Sequence, residues 1–273
     1  MPRPEINKAL GAVVGLAVCE ALAHTEAMPK PTEALPSPDW GDGTSMTLAL
    51  AESLIDSGGI NQRDLLVRYT SWFRYGHLSS TETCTFIDDA VKDATLRFER
   101  TWHPEDTDQR QGDVCLTRIS PAVIYFFPAL EQALDACAQV TRTTHSGQES
   151  VDAAVLLGAM LHTALDSDDP HRVIRPDAAL TLSPAAEQVR AGRKPDGSNP
   201  ACSSLAAAVQ ALAANSSFAD GCLACRPAGP RAMAAYGQLA GACFGLEAIP
   251  EPWRNSLAKP QLLHELTIRL IHD

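Results

Sequence analysis

Apolar side chains recur at helical spacing along almost the whole chain, and no stretch alternates in the way a half-buried strand requires. Ile6, Leu10, Val13, Val14 and Ala17 fall at i, i+4, i+7, i+8 and i+11, which places them on one face of an opening helix. Pro29, Pro31, Pro36 and Pro38 then forbid a helix and mark a loop. A second helix is predicted from residue 44 to 55, with Met46, Leu48, Leu50 and Leu54 as its apolar content and Gly58-Gly59 as its stop. Asn61 is placed to cap a third, which carries Leu65, Leu66 and Trp72. Further helices are predicted over residues 82–99, 122–139, 148–165, 184–191, 203–214, 219–225, 231–245 and 259–271.

Composition supports that pattern. The chain of 273 residues is 45% hydrophobic but only 5% aromatic, a balance that suits close helix packing better than a β-sandwich. Two polar segments, 103–113 and 166–177, read as surface insertions, too short to divide domains. Their acidic residues are expected in solvent, or as attractors of a basic partner. One all-α domain spanning 1–273 follows.

A net charge of −11 argues against a nucleic-acid surface, which needs clustered Lys and Arg, and against anionic membranes. The apolar stretch from Ala9 to Leu22 is interrupted by Glu20 and has no small-residue cleavage site, so it is not read as a secretory signal. Eight cysteines, mostly in apolar surroundings such as Ala136-Cys137-Ala138, fit buried thiols of a reduced, cytoplasmic protein. Cys222-Leu-Ala-Cys225 lacks both the βαβ context of a redox motif and the second pair of a zinc site, so packing thiols are expected there.

Five segments, in order, carry a resemblance. Gly11-Ala-Val-Val-Gly15 through Glu20-Ala-Leu22 is similar to an opening helix that ends in G-D-A-L-G. Trp40-Gly41-Asp42-Gly43-Thr44-Ser45-Met46 resembles W-T-D-D-T-x-M. Gly112-Asp113-Val114-Cys115-Leu116-Thr117-Arg118 resembles G-N-G-S-L-M-R. Thr144-His145-Ser146 matches a T-H-G/S turn, and Gly237 to Trp253 matches A-G-x-L-A-G-A-Y-Y-G-L-E-A-I-P-x-x-W. The pattern is that of the ADP-ribosylglycohydrolase family. The resemblance implies a single orthogonal helical bundle and a cleft holding two Mg²⁺ ions and ADP-ribose. It also implies hydrolysis of the bond between ribose and a modified side chain, often arginine.

The residues that such chemistry needs are depleted. Mg²⁺ demands several oxygen ligands at one point. The family's T-D-D is Gly41-Asp42-Gly43 here, and its C-terminal D-x-D-T falls near Ala228-Gly229-Pro230-Arg231, with no carboxylate between Asp220 and Glu247. Arg231 would set a positive charge where a dication should sit. Asp42 reads either as a residual metal ligand or as an N-cap of the helix from residue 44. Glu20 and Glu26 are the other candidate catalytic carboxylates, Glu26 standing one residue short of the family spacing. In the nucleotide loop, Asp113, Val114 and Cys115 replace Asn, Gly and Ser. With Arg118 and His145 they form the candidate ligand-binding set, although Arg118 also reads as a loop brace and His145 as structural. The expectation is a degenerate homologue that needs no cofactor and acts by binding a protein partner or an ADP-ribose-like ligand. The alternatives are an active ADP-ribosylhydrolase with an atypical site using Asp42, Glu20 or Glu26 and perhaps one Mg²⁺, or a different hydrolytic or lyase chemistry in the same cleft.

Overall fold

A computed structural model describes residues 3–196 and 199–272, and every regular element in it is a helix. The chain runs α1 (Ile6–Ala23), α2 (Asp42–Ser57), α3 (Gln62–Tyr75), α4 (Asp89–Thr101) and α5 (Ser120–Phe126). It continues through α6 (Leu130–Arg142), α7 (Gln148–Ala164), α8 (Pro170–Val173), α9 (Pro184–Arg190) and α10 (Pro200–Ala214). It ends with α11 (Phe218–Cys225), α12 (Pro230–Phe244), α13 (Glu251–Asn255) and α14 (Pro260–His272). No strand occurs among the described residues.

The centre of the bundle is α1 against α12. Residues Lys8 to Leu22 are buried on every side, which explains why α1 lacks a polar face. By length and composition α1 would also pass for a membrane span, but 83% of it is enclosed by the other helices, so its apolarity belongs to a core helix. The two backbones touch because both helices present glycine. A Cβ added at Gly11 would lie 2.1 Å from the Gly241 carbonyl oxygen, and one added at Gly241 would lie 1.9 Å from that of Gly11. The contact repeats one turn on, where a Cβ added at Gly15 would lie 2.3 Å from the Gly237 carbonyl oxygen; no larger residue fits either place, and the two contacts set the close spacing that carries on to the C-terminal half of α1 and the start of α12.

Local signals placed most of the helices. Asn61 caps α3 by accepting from the Asp64 amide at 3.1 Å, and Gly58 ends α2 in the left-handed conformation at φ 67°. Three expectations differ from the structure. The predicted helix over 82–99 begins only at Asp89, because Glu82 and Phe86 sit at φ 62° and 55°, where a right-handed helix cannot continue. The predicted helix over 122–139 is two helices, since Pro128 drives Phe127 to an extended conformation between α5 and α6. The segment 103–113 is not simply solvated. The Asp106 side chain is buried and accepts from the Ser146 hydroxyl at 2.9 Å and amide at 3.2 Å, from Arg97 at 3.3 Å, and from the amides of Asp108 and Arg110. Burial works to raise the Asp106 carboxyl, but these donors hold it below its ordinary range.

Candidate functional site

The α1–α12 crossing brings the C-terminal half of α1, the N-terminus of α2 and the N-terminus of α12 to one place. Glu20 projects from α1 and is 3% exposed. Its carboxylate accepts from the amides of Gly41 at 3.3 Å, Gly43 at 3.0 Å and Thr44 at 2.8 Å, and from the Thr44 hydroxyl at 2.7 Å. Those amides are the free donors at the start of α2, so Glu20 caps a helix other than its own. Asp42 is not the N-cap residue of α2, although its Oδ1 accepts from the Gly43 amide at 3.0 Å in the first turn. Gly41 holds the cap position and Asp42 is the first helical residue.

Asp42 also reaches toward α12. Its two carboxylate oxygens take the two terminal nitrogens of Arg231, the Nη2–Oδ2 contact being 2.7 Å, in a bidentate pair. Arg231 lies in the first turn of α12, where the helix dipole disfavours a cation, so the carboxylates opposite are what hold it there. Asp42 is 1% exposed. Burial and the adjacent Asp42 charge push the Glu20 carboxyl up to about 7, against the pull of Thr44 and Arg231. Burial alone would lower Arg231, but the Asp42 pairing raises it above its ordinary value. This guanidinium is a permanent cation.

A cavity of about 330 Å³ opens above the pair, lined by Glu20, His24, Asp42, Asp88, Arg231 and the exposed ring of Phe86. His24 and Phe86 stack at 4.4 Å with their planes 10° apart. Burial, then the Arg231 charge, lowers the His24 pKa. Sequence reasoning passed over His24, Phe86 and Asp88. Asp88 carried a signal, as an Asp before an amphipathic helix, and it does cap α4. Nothing in the local sequence marks the other two.

The second cluster is the turn of residues 114–118 with the loop before α7. Val114, Cys115 and Arg118 are buried, and Asp113 accepts from the Ser204 hydroxyl at 2.6 Å. Burial pushes the Cys115 thiol up to about 12. Arg118, 0% exposed, reaches the Thr144 hydroxyl, the Met46 sulfur at 3.6 Å and the Tyr69 ring, whose centroid is 5.5 Å away. These contacts are those of a brace between α2, α3 and the loop before α7. His145 Nδ1 lies 2.8 Å from the same Thr144 hydroxyl. Burial, then the Arg118 charge, lowers His145 to about 3, so the ring is neutral at physiological pH. Glu26 stands apart, exposed on the loop after α1, with its backbone carbonyl accepting from Arg226. Cys222 and Cys225 are buried, the Cys222 sulfur 3.4 Å from that of Cys19. Among the described residues, no three His, Cys, Asp or Glu side chains converge as a metal-holding group.

The comparisons with known proteins agree with this architecture. The family model for ADP-ribosylglycohydrolase matches residues 1–273. The ADP-ribosylarginine hydrolase Tri1 of Pseudomonas putida (strain GB-1) is 27% identical over 294 residues, covering 98% of this chain and 79% of that protein. The Tri1 protein of Serratia proteamaculans (strain 568) is 26% identical over 292 residues, covering 98% and 80%. A solved structure, an ADP-ribosylglycohydrolase-related protein complex, superposes with a TM-score of 0.82 at 30% identity, covering 98% of each chain. On the full-length family match, the chain belongs to the ADP-ribosylglycohydrolase family.

Proposed function

We propose that in this family member an internal guanidinium has replaced the metal centre, and that the protein acts by binding rather than by dimetal hydrolysis. The observation that carries the reading is the bidentate pair: both oxygens of Asp42, the residue aligned with the family's metal-binding T-D-D, are committed to Arg231. A dication at Asp42 would have to displace a cation bonded through two nitrogens, and would then sit beside its positive charge.

The remaining donors fit Mg²⁺ no better. Glu20 is engaged by three amides and a hydroxyl. Gly43 stands where the family has its second aspartate. A Cβ there would lie 2.5 Å from Glu20 Oε1 and 2.6 Å from Thr117 Cβ, so the packing leaves no room for a carboxylate. Pro230 and Gly229, near the family's C-terminal acidic loop, offer no side-chain oxygen. Mg²⁺ requires near-octahedral oxygen coordination, and this set does not supply it.

The ligand of the cleft is an ADP-ribose-like group or a protein partner carrying one, in keeping with the names of the curated relatives. The second reading is residual hydrolysis at an atypical site. It is favoured by one feature: Glu20, with its pKa near 7, stands at the cavity wall in the range where a carboxyl can exchange a proton at neutral pH. Two measurements separate the readings. Calorimetric titration with Mg²⁺ and with ADP-ribose is expected to give no metal isotherm. Incubation with ADP-ribosylated arginine substrate is expected to release no ADP-ribose above the uncatalysed rate, with or without Mg²⁺. Metal-dependent turnover that vanishes in Asp42→Ala would overturn the proposal in favour of the hydrolase.

A further inference from the structure

A cavity of about 780 Å³ lies apart from the cleft. It lies at the other end of α1, where Lys8 lines its wall. Lys8 and Glu20 are twelve residues apart on that helix, about 18 Å along its axis. Arg3 and Glu5 before α1, the last turns of α7, the turn between α5 and α6, and the segment 165–178 complete the lining. The volume is in the range of small-molecule sites.

Its chemistry centres on Lys8. The residue is 6% exposed, and its ammonium donates to the Ala164 carbonyl at 2.9 Å near the end of α7. A buried ammonium needs a counter-charge. That charge comes from Asp168 at 2.5 Å, whose own side chain is 85% exposed on the surface segment after α7. The pairing is asymmetric. The cation is built into the core, while the anion is a solvated side chain that can swing away without disturbing any packing. Beside it the rings of Phe127 and His162 line the wall with centroids 5.1 Å apart. His162 Nε2 lies 3.1 Å from the Pro128 carbonyl, which can only accept, so Nε2 carries the proton. Burial lowers the His162 pKa and favours the neutral ring, an apolar surface rather than a second cation. Cations and carboxylates share the rest of the lining, Arg3, Arg172 and Arg175 with Glu5, Asp166 and Asp177; Arg172 lies 3.8 Å from Asp166, and Arg175 has no carboxylate paired to it among the described residues.

We propose that this cavity binds a small organic carboxylate, whose carboxyl group replaces Asp168 on Lys8 while its apolar body lies against Phe127 and His162. Asp168 is then an internal placeholder for the ligand. The proposal is independent of what happens in the cleft.

Benzoate is a suitable probe, with benzamide as its uncharged counterpart, titrated calorimetrically at pH 6.5 into the full-length protein and two variants. Benzoate binds the wild type and benzamide does not. Lys8→Met, close in volume and without the charge, weakens benzoate at least about tenfold, the loss expected for one charge-assisted hydrogen bond. Asp168→Ala removes the internal competitor and tightens benzoate about tenfold. Asp168→Ala costs stability by leaving Lys8 without its counter-charge, but Lys8 keeps its bond to the Ala164 carbonyl and faces the cavity, and the Asp168 side chain is 85% exposed, so that variant folds even if Lys8→Met does not. The tightening is the decisive sign, since an ordinary lining residue would weaken binding when truncated. No benzoate binding to either the wild type or Asp168→Ala, equal affinity for benzamide, or weaker binding in Asp168→Ala would each overturn the proposal.

Discussion

Replacing Arg231 with alanine strands two carboxylates that the fold has buried side by side. Asp42 is 1% and Glu20 3% exposed, and Arg231 is the cation that pairs with Asp42 and draws down Glu20. Removing one partner of a buried pair costs about 3–5 kcal/mol. The Arg231 side chain is itself 22% exposed at the cavity, so water partly reaches the stranded charges and the lower end, about 3 kcal/mol, is expected. For a chain of this size that corresponds to a fall in Tm of roughly 6–12 °C. The loss must depend on pH. Glu20 is already raised from 4.5 to about 7, and losing Arg231 raises it further. A carboxyl whose folded pKa exceeds its unfolded value takes up protons on folding between the two. Stability therefore rises as pH falls through that window, and the deficit at pH 8 should shrink toward pH 5. The double variant Asp42→Asn/Arg231→Met removes both charges and should be less damaged than Arg231→Ala, a coupling of about 2 kcal/mol. Urea unfolding of the three proteins at pH 8 and pH 5, followed by helical circular dichroism, measures all of this. A loss below about 1 kcal/mol in Arg231→Ala at pH 8, or a loss that does not change with pH, would refute the reasoning.

Gly241→Ala places a methyl group 1.9 Å from the Gly11 carbonyl oxygen and forces α1 and α12 apart. The expected loss is about 3 kcal/mol or more, read as a fall in Tm, and a neutral result would mean the crossing is looser than described. His145, lowered to about 3, should show no ring titration by NMR between pH 8 and pH 4.5. Its neutral burial contributes stability above the unfolded value of about 6.5 that is lost as pH falls from there toward 3, and a midpoint near 6.5 would contradict the burial. Chelation with EDTA should leave Tm within about 1 °C, because the cation facing Asp42 is covalently part of the chain, whereas a protein whose carboxylates wait for a metal loses stability when it is removed.

The helices were legible because each depends on a short window. Apolar period, an Asn61 cap and a Gly58 stop are local signals, and they held for α1, α2, α3, α7, α12 and α14. The failures were tertiary. Residues 82–88 look helical by composition, but Glu82 and Phe86 are held at positive φ, Phe86 at the cleft wall, and no propensity encodes that choice. The acidic run 103–113 has the composition of a surface loop. Only the arrival of Ser146 and Arg97 from elsewhere in the chain makes burial of Asp106 possible.

The cleft divides along the same line, and the division says something about how such a site changes. On the proposed reading, the missing ligands are visible one residue at a time, since Gly43 has no side-chain oxygen in any fold. What balances the loss is not visible, because it lies between residues 189 positions apart. The start of α2 concentrates free amides and positive dipole, and Glu20 and Asp42 both gather there. Two carboxylates in one buried place repel, so the arrangement needs a cation whether or not any reaction occurs. A bound metal supplies one from solution, at the mercy of its concentration. Arg231 supplies one from a side chain fixed to α12, whose spacing from α1 is set by the Gly237 and Gly241 contacts about two and three turns further along the helix. Substituting the second cation for the first keeps the helices in place while the oxygens that would have oriented a substrate are given over to holding an arginine. On the proposed reading, architecture and dimetal chemistry come apart in this chain because both draw on the same pair of charges.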